Sequence, residues 1–319
     1  MAHLPRLPTV EPWKEVIVRP LRSVHSNSRL IPAVQMRINR LPEEVLLGIF
    51  EFLVERTDTV RYMNVWQTLV HVCREWRHII FSSPRRLNLQ LLCMDTNPVR
   101  KMLHIWPAFP IVVVTGGDPN EECADNVVAA FEQPGRVSEI IFEEISSQAL
   151  EFLTGTIHGP FPQLTTLDIT LGDTRQFFPE PFPKGFAPRL RSLDLCDVPL
   201  STVSKSMLSA SDLVHLSLWH VPIWEYVTPK EIATYLSPMT KLESMSLGLR
   251  FPRHYPCSES QRRTVLLALT SFWFEGPDGY LEDLKARLDT PRLNRVNVTH
   301  SNSPFNAEDI DYLMRYDYY

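Results

Sequence analysis

The chain has 319 residues, 44% of them hydrophobic and 22% charged, with a net charge of −5 and a pI of about 6.1. That is room for one large domain or two ordinary ones with a sizeable core, and it lacks the basic surplus of most nucleic-acid binders. The five cysteines are scattered and never form a CxxC pair, which argues against a disulfide framework or a metal site, and no apolar run approaches the roughly 18–20 residues that span a bilayer.

Residues 1–40 hold seven Arg/Lys and two acidic residues, a net of +5, so the remainder carries −10. Pro5, Pro8, Pro12, Pro20 and Pro32 break any amphipathic helix there, and residues 1–37 are expected to be a disordered basic tail. The acidic remainder disfavours a phosphate-backbone partner. Reduced thiols point to the cytoplasm or nucleus, which makes the Asn297-Val298-Thr299 sequon a chance match.

From Leu41 the character changes. Residues 41–53 predict a helix: Pro42 suits the first helical position, and Glu43 and Glu44 complement the helix dipole. Leu46, Ile49, Phe50 and Leu53 recur at spacings of three and four, and Val45, Leu47 and Phe52 widen the stripe beyond an ordinary surface helix. After a polar gap, residues 66–72 and 75–81 give two more short helical patterns. About 40 residues cannot bury a full core alone. The second apolar face therefore lies either against the rest of the chain or against an external partner.

Leu41-Pro42-Glu43-Glu44, Ile49-Phe50, Leu53 and then Val72-Cys73-Arg74, Trp76-Arg77 resemble the F-box in order and spacing. The resemblance covers about 40 residues and sets a module at 38–85. It implies docking on a Skp-type adaptor and, through that, on a cullin-based ubiquitin ligase. Carried over, the adaptor-binding residues are Leu41, Pro42, Leu46, Ile49, Phe50, Leu53, Val72, Cys73 and Trp76. Cys73 reads as a buried, inert thiol in this apolar context.

Residues 86–305 repeat a pattern of Leu-x-x-Leu-x-Leu with apolar substitutes. It starts at Val137, Leu164, Leu190, Leu213, Leu242, Leu269 and Leu293, at intervals of 27, 26, 23, 29, 27 and 24 residues. Those intervals sit in or beside the leucine-rich-repeat range of about 20–29. Two units share a tail, Leu195-Cys196-Asp197-Val198-Pro199-Leu200 and Leu218-Trp219-His220-Val221-Pro222-Ile223. The Asn or Cys expected after the strand is missing from most units.

The expected fold is therefore α/β: a three-helix F-box followed by an irregular leucine-rich-repeat solenoid with a parallel sheet. Residues 111–115 are expected to begin the sheet, with residues 86–92 linking it to the module, and residues 280–288 should form a helix in which Asp283 and Arg287 pair. Alternation then places Asp168, Asp194, His215, Trp219, Trp273, Arg295 and Asn297 on the open face as candidate target-binding residues. Trp219 and Trp273 are the candidate anchors, unless a loop covers them.

Residues 38–300, notably 98–107 and 280–291, are similar to the expanded F-box family of mushroom-forming fungi. Residues 306–319 read as a last helix that caps the array or as a truncated end. No phosphate-cradling loop, dinucleotide fingerprint, GxSxG or HExxH occurs. His71 and His78 lack a third ligand, and Asp194 with Asp197 reads as solvated. The chain is expected to be a non-enzymatic receptor without cofactor or metal, a partner of the adaptor and of an unidentified protein target but not of nucleic acid or membrane.

Overall fold

A computed structural model describes residues 41–55, 65–93, 99–173, 185–199, 211–221, 227–249 and 263–300. The expected tail at 1–37 and the last helix at 306–319 lie outside these, as do Leu200, Pro222, Ile223 and Cys257.

Three helices come first. In α1 (Glu43–Glu55), Glu43 and Glu44 fill the first turn, where their charge meets the positive end of the helix dipole. After α2 (Val65–Val70), Cys73 caps α3 (Arg74–Ser82), its sulfur accepting the Trp76 N–H at 3.5 Å. Leu46 and Phe50 of α1 are fully buried, and the Phe50 ring lies 4.8 Å from that of Trp76.

A second aromatic cluster joins these helices to the body of the chain. Trp66 of α2 packs edge-on against Trp106 at 5.4 Å and Phe109 at 5.5 Å, with Phe81 beside them. Its indole N–H donates to the Gln90 carbonyl at 3.2 Å, so the buried ring keeps its polar atom satisfied.

The chain then alternates strands with return segments. In order come β1 (Leu91–Cys93), α4 (Val99–Ile105), β2 (Ile111–Gly116), α5 (Glu121–Phe131), β3 (Val137–Ile145), α6 (Ser147–Gly155), β4 (Thr166–Leu171), β5 (Ser192–Cys196) and β6 (His215–Val221). The second half holds α7 (Pro229–Leu236), β7 (Ser244–Leu249), β8 (Thr264–Val265), β9 (Ser271–Gly276), α8 (Asp278–Arg287), β10 (Leu288–Asp289) and β11 (Arg295–His300). Among the described residues, nine strands form one sheet in the order β1-β2-β3-β4-β5-β6-β7-β9-β11, every neighbour parallel. β8 and β10 make a separate parallel pair.

Returns of twenty-odd residues suit this topology, because a parallel neighbour needs a long crossover. Two rows of side chains run unbroken across the inner face. One is Ile140, Leu167, Leu193, Leu216, Met245 and Phe272; the other is Phe142, Ile169, Leu195, Leu218, Leu247 and Phe274. All twelve are buried. With an apolar residue at every second position, a one-residue slip would expose the whole set, so the pattern fixes the register.

The sheet begins one strand earlier than expected, at β1 rather than at residues 111–115, and the strands also differ from the expected units in where their first leucine lies. Leu164, Leu190, Leu242 and Leu269 precede the strands, in turns closed by i→i−3 bonds such as Leu164 N–H to the Phe161 carbonyl. These side chains still enter the core, from the turn. The irregular leucine-rich-repeat solenoid expected from the sequence is not what results: some returns carry helices, such as α5, α6 and α7, the described parts of others carry only turns, and no solenoid forms among the described residues. The architecture is a mixed α/β chain with a large parallel sheet and a helical module. The α8 expectation fits, starting two residues earlier, with Arg287 paired to Asp283 at 3.1 Å.

Candidate functional site

Two surfaces carry the residues of interest, and they are built differently. The first is the outer side of α1. Val45, Ile49, Phe52 and Leu53 recur at spacings of three and four, so they share one helix face, and all four are exposed, Ile49 at 37% and Phe52 at 54%. The opposite face holds Leu46, Leu47 and Phe50 inside the module. Val72, after α2, is 58% exposed.

The residues expected to dock a partner therefore divide. Ile49, Leu53 and Val72 are at the surface, Cys73 and Leu41 are half-buried, and Pro42 is exposed. Leu46, Phe50 and Trp76 are buried and hold the module together. Leu46 and Phe50 have no exposed surface and cannot touch a partner without opening the core, so these two are scaffold in this structure, while Trp76 keeps 9% of its surface exposed. Val45 and Phe52, noted in the sequence only as widening the apolar stripe, belong to the exposed face.

The second surface is the open side of the sheet. Asp168, Asp194, Ser217, Ser246, Trp273 and Asn297 are successive register partners across β4, β5, β6, β7, β9 and β11. Paired residues in a parallel ladder point the same way, so this is one row of one face. His215 and Arg295 lie in the next row, and Trp219 pairs with Cys196 on the other side. All seven residues expected on this face are on it. On β1 to β3 the same face turns apolar, with Leu92, Val112 and Val114 buried against Ile141.

The electrostatics of the row are unusual. Burial pushes the Asp168 carboxyl up to about 6, and the neighbouring charges of Asp194 and Glu143 add to the effect. Burial also raises Asp194, opposed by a hydrogen bond from Ser217. Beside them sits an aromatic pair: the Trp219 and Trp273 rings have centroids 3.9 Å apart and are tilted by 53°. Gly248 makes room for it, because a Cβ there would stand 2.3 Å from Cε3 of Trp219. Both tryptophans are half-buried, mutually packed and still reachable from the open side.

At the strand ends next to Trp219, three further side chains converge. Cys196 Sγ is 3.6 Å from Asp197 Oδ2 and 3.7 Å from His220 Nδ1, and His220 Nδ1 is 3.5 Å from Asp197 Oδ2. The sequence carried no metal-ligand spacing here. The signal lay in the shared tails of two units, whose alignment sets Cys196 beside Trp219 and brings Asp197 next to His220.

A comparison with curated proteins found no match. A scan against protein-family models found one described as F-box-like, over residues 38–89. That span takes in α1, α2, α3 and the turn leading to β1, which are the elements that carry the two-faced helix. Residues 38–89 carry an F-box-like domain, and the chain joins it to a large parallel sheet.

Proposed function

We propose that this protein is the substrate-recognition subunit of a Skp–cullin–F-box type ubiquitin ligase. The observation that carries the reading is α1: its inner face completes the module, while its outer face stays apolar and exposed within a domain that matches the F-box-like family. F-box domains generally bind Skp-type adaptors, and an exposed apolar stripe is what such a partner would cover. The sheet's open face then serves as the target-binding surface of an irregular leucine-rich-repeat-type array. Its intervals of 23 to 29 residues support that finer description. Trp219 and Trp273 are its anchors.

The mechanism is proximity. One surface is fixed to the ligase and the other holds the target, so the chain raises the target's effective concentration at the ubiquitin donor and performs no chemistry itself. On this reading the protein works in the cytoplasm or nucleus, an expectation supported by its scattered cysteines without a CxxC pair.

The alternative is a non-ligase scaffold whose helical module packs internally. It draws on the Trp66, Trp106 and Phe109 cluster, through which α2 does pack on the body. Of Ile49 and Phe50, which an internally packed module would hide, Ile49 is exposed and favours the ligase reading, while Phe50 is buried and does not. Co-purification with the Skp-type adaptor separates the two. The wild type should form a complex, and Ile49→Asp with Leu53→Asp should weaken it roughly tenfold or more, the scale of an interface hot spot. A folded protein that ignores the adaptor, or variants that bind as the wild type does, would sink the ligase reading.

A further inference from the structure

We propose that Cys196, Asp197 and His220 form a binding site for a divalent metal ion of the zinc class. The inference is independent of the ligase reading.

The three ligand atoms are a thiol sulfur, a carboxylate oxygen and an imidazole nitrogen, all donor types that zinc takes. They stand 3.6, 3.7 and 3.5 Å apart. Zinc bonds of about 2.3 Å to sulfur and about 2.0–2.2 Å to nitrogen and oxygen, at tetrahedral angles, set ligand pairs about 3.3–3.6 Å apart. The observed triangle is therefore one face of a tetrahedron to within a few tenths of an ångström. An ion seated over it would draw the side chains in only slightly.

The main competing reading, a Cys–His–Asp nucleophilic relay, fails on geometry. A relay needs the thiol on one ring nitrogen and the carboxylate on the other. Here His220 presents the same nitrogen, Nδ1, to both Sγ and Oδ2. Three ligand atoms within 3.5–3.7 Å of one another suit coordination of one ion rather than proton transfer along a chain. Among the described residues, this is the cluster of His, Cys and carboxylate groups whose ligand atoms lie close enough to share an ion.

The backbone accounts for the convergence. Asp197 and His220 both adopt left-handed conformations, with φ of 59° and 50°. They occupy the same place in successive units, one residue past the paired Cys196 and Trp219. A hydrogen bond from the Asp197 N–H to the Trp219 carbonyl, 3.0 Å long, ties the two strand ends together. His220 and Asp197 side chains are 38% and 23% exposed, so an ion can enter from solvent. With three protein ligands the fourth position is left for water or for a donor from a bound target, the pattern of an open rather than a closed zinc site. Binding requires the thiolate, so the Cys196 proton passes to solvent and affinity rises with pH.

The test uses the full chain, stripped with chelator and titrated with Co2+ as an optical probe, then competed with Zn2+. The expected result is one equivalent bound, with a thiolate-to-cobalt charge-transfer band and the intense visible bands of a tetrahedral ion, both abolished by Zn2+. Cys196→Ser should remove the charge-transfer band. Asp197→Asn and His220→Asn keep a residue that tolerates the left-handed backbone. Each should weaken binding by more than the roughly 10–100-fold that outer-shell changes cost. Zn2+ should raise the melting temperature of the wild type and not that of Cys196→Ser. Absence of a saturable thiolate band in the wild type, or a band that persists in Cys196→Ser, would overturn the site. So would Asn variants that bind as tightly as the wild type.

Discussion

The helical module and the sheet solve the problem of an apolar surface in opposite ways. In α1 both faces are apolar, one is buried within the module, and the other is exposed. In the sheet one face is apolar and buried from β3 to β9, and from β4 onward the other carries polar and charged residues, among them Asp168, Asp194, His215, Arg295 and Asn297, with two tryptophans. The first surface can bind by broad burial of area, at about 25 cal/mol per Å² of apolar surface removed from water. The second has little such area to offer, so its selectivity rests on a few anchors and on charge. One chain thus carries a broad apolar surface on α1 and a narrower polar surface with two aromatic rings on the sheet.

That contrast can be broken most forcefully at α1. Phe50→Ala should cost about 3–5 kcal/mol through loss of buried contact and the cavity left behind. Ile49→Asp, one residue away, should stay within about ±0.5 kcal/mol of wild type, as surface changes do. Urea unfolding of the two variants checks this. Equal losses would mean that α1 is covered on both sides, and the distinction between its faces would disappear.

The aromatic anchor gives a smaller effect. Gly248→Ala sets a methyl group within 2.3 Å of the Trp219 ring, and overpacking of this kind costs about 1–3 kcal/mol. In a Trp219→Ala background the same change should be nearly silent, because the clash has lost its partner. Thermal melts of the four proteins measure the coupling.

The smallest effect is electrostatic. Asp168 has a carboxyl pKa raised from 3.8 to about 6, so between those values the folded state binds more protons than the unfolded one. Its contribution to stability is therefore most favourable below the unfolded value and declines as pH rises through the folded one. Asp168→Asn should flatten stability across about pH 4–6 and raise the melting temperature at pH 7 by about 1–3 °C, since the exposed half of the group is screened. A variant less stable than wild type at pH 7 would show that Asp168 has a favourable partner.

How much of this could be read in the sequence follows the same division. The sheet was legible. A period of two has only two phases, and Leu193 with Leu195 or Leu216 with Leu218 chooses between them, which puts Asp194, Ser217 and Trp219 on the open side. The helices of the module were legible as helices, but their orientation was not. Leu46 with Phe50 and Ile49 with Leu53 have the same spacing of four, and a helix apolar on nearly all sides offers no polar stripe to mark the outside. Only the ring of Trp76, brought against Phe50 by the fold, separates the two sets.

Of the return helices only α8 was expected by its residues; α4, α5, α6 and α7 were not, although α7 carried a readable signal. Thr228 and Glu231 form a capping box ahead of Pro229. The meeting of Cys196, Asp197 and His220 had no short-range signature at all. It depends on β5 and β6 lying in register, a long-range fact that only the repeated tail foreshadowed.

The tryptophan pair also has an optical consequence. Two indoles with centroids 3.9 Å apart share their electronic excitations, and the resulting circular-dichroism couplet depends steeply on their separation and tilt. Anything that wedges between the rings, or stacks on them, changes that couplet. The difference spectrum between wild type and Trp219→Ala separates this couplet from that of the Trp66–Trp106 pair and makes it a label-free probe of the sheet's open side.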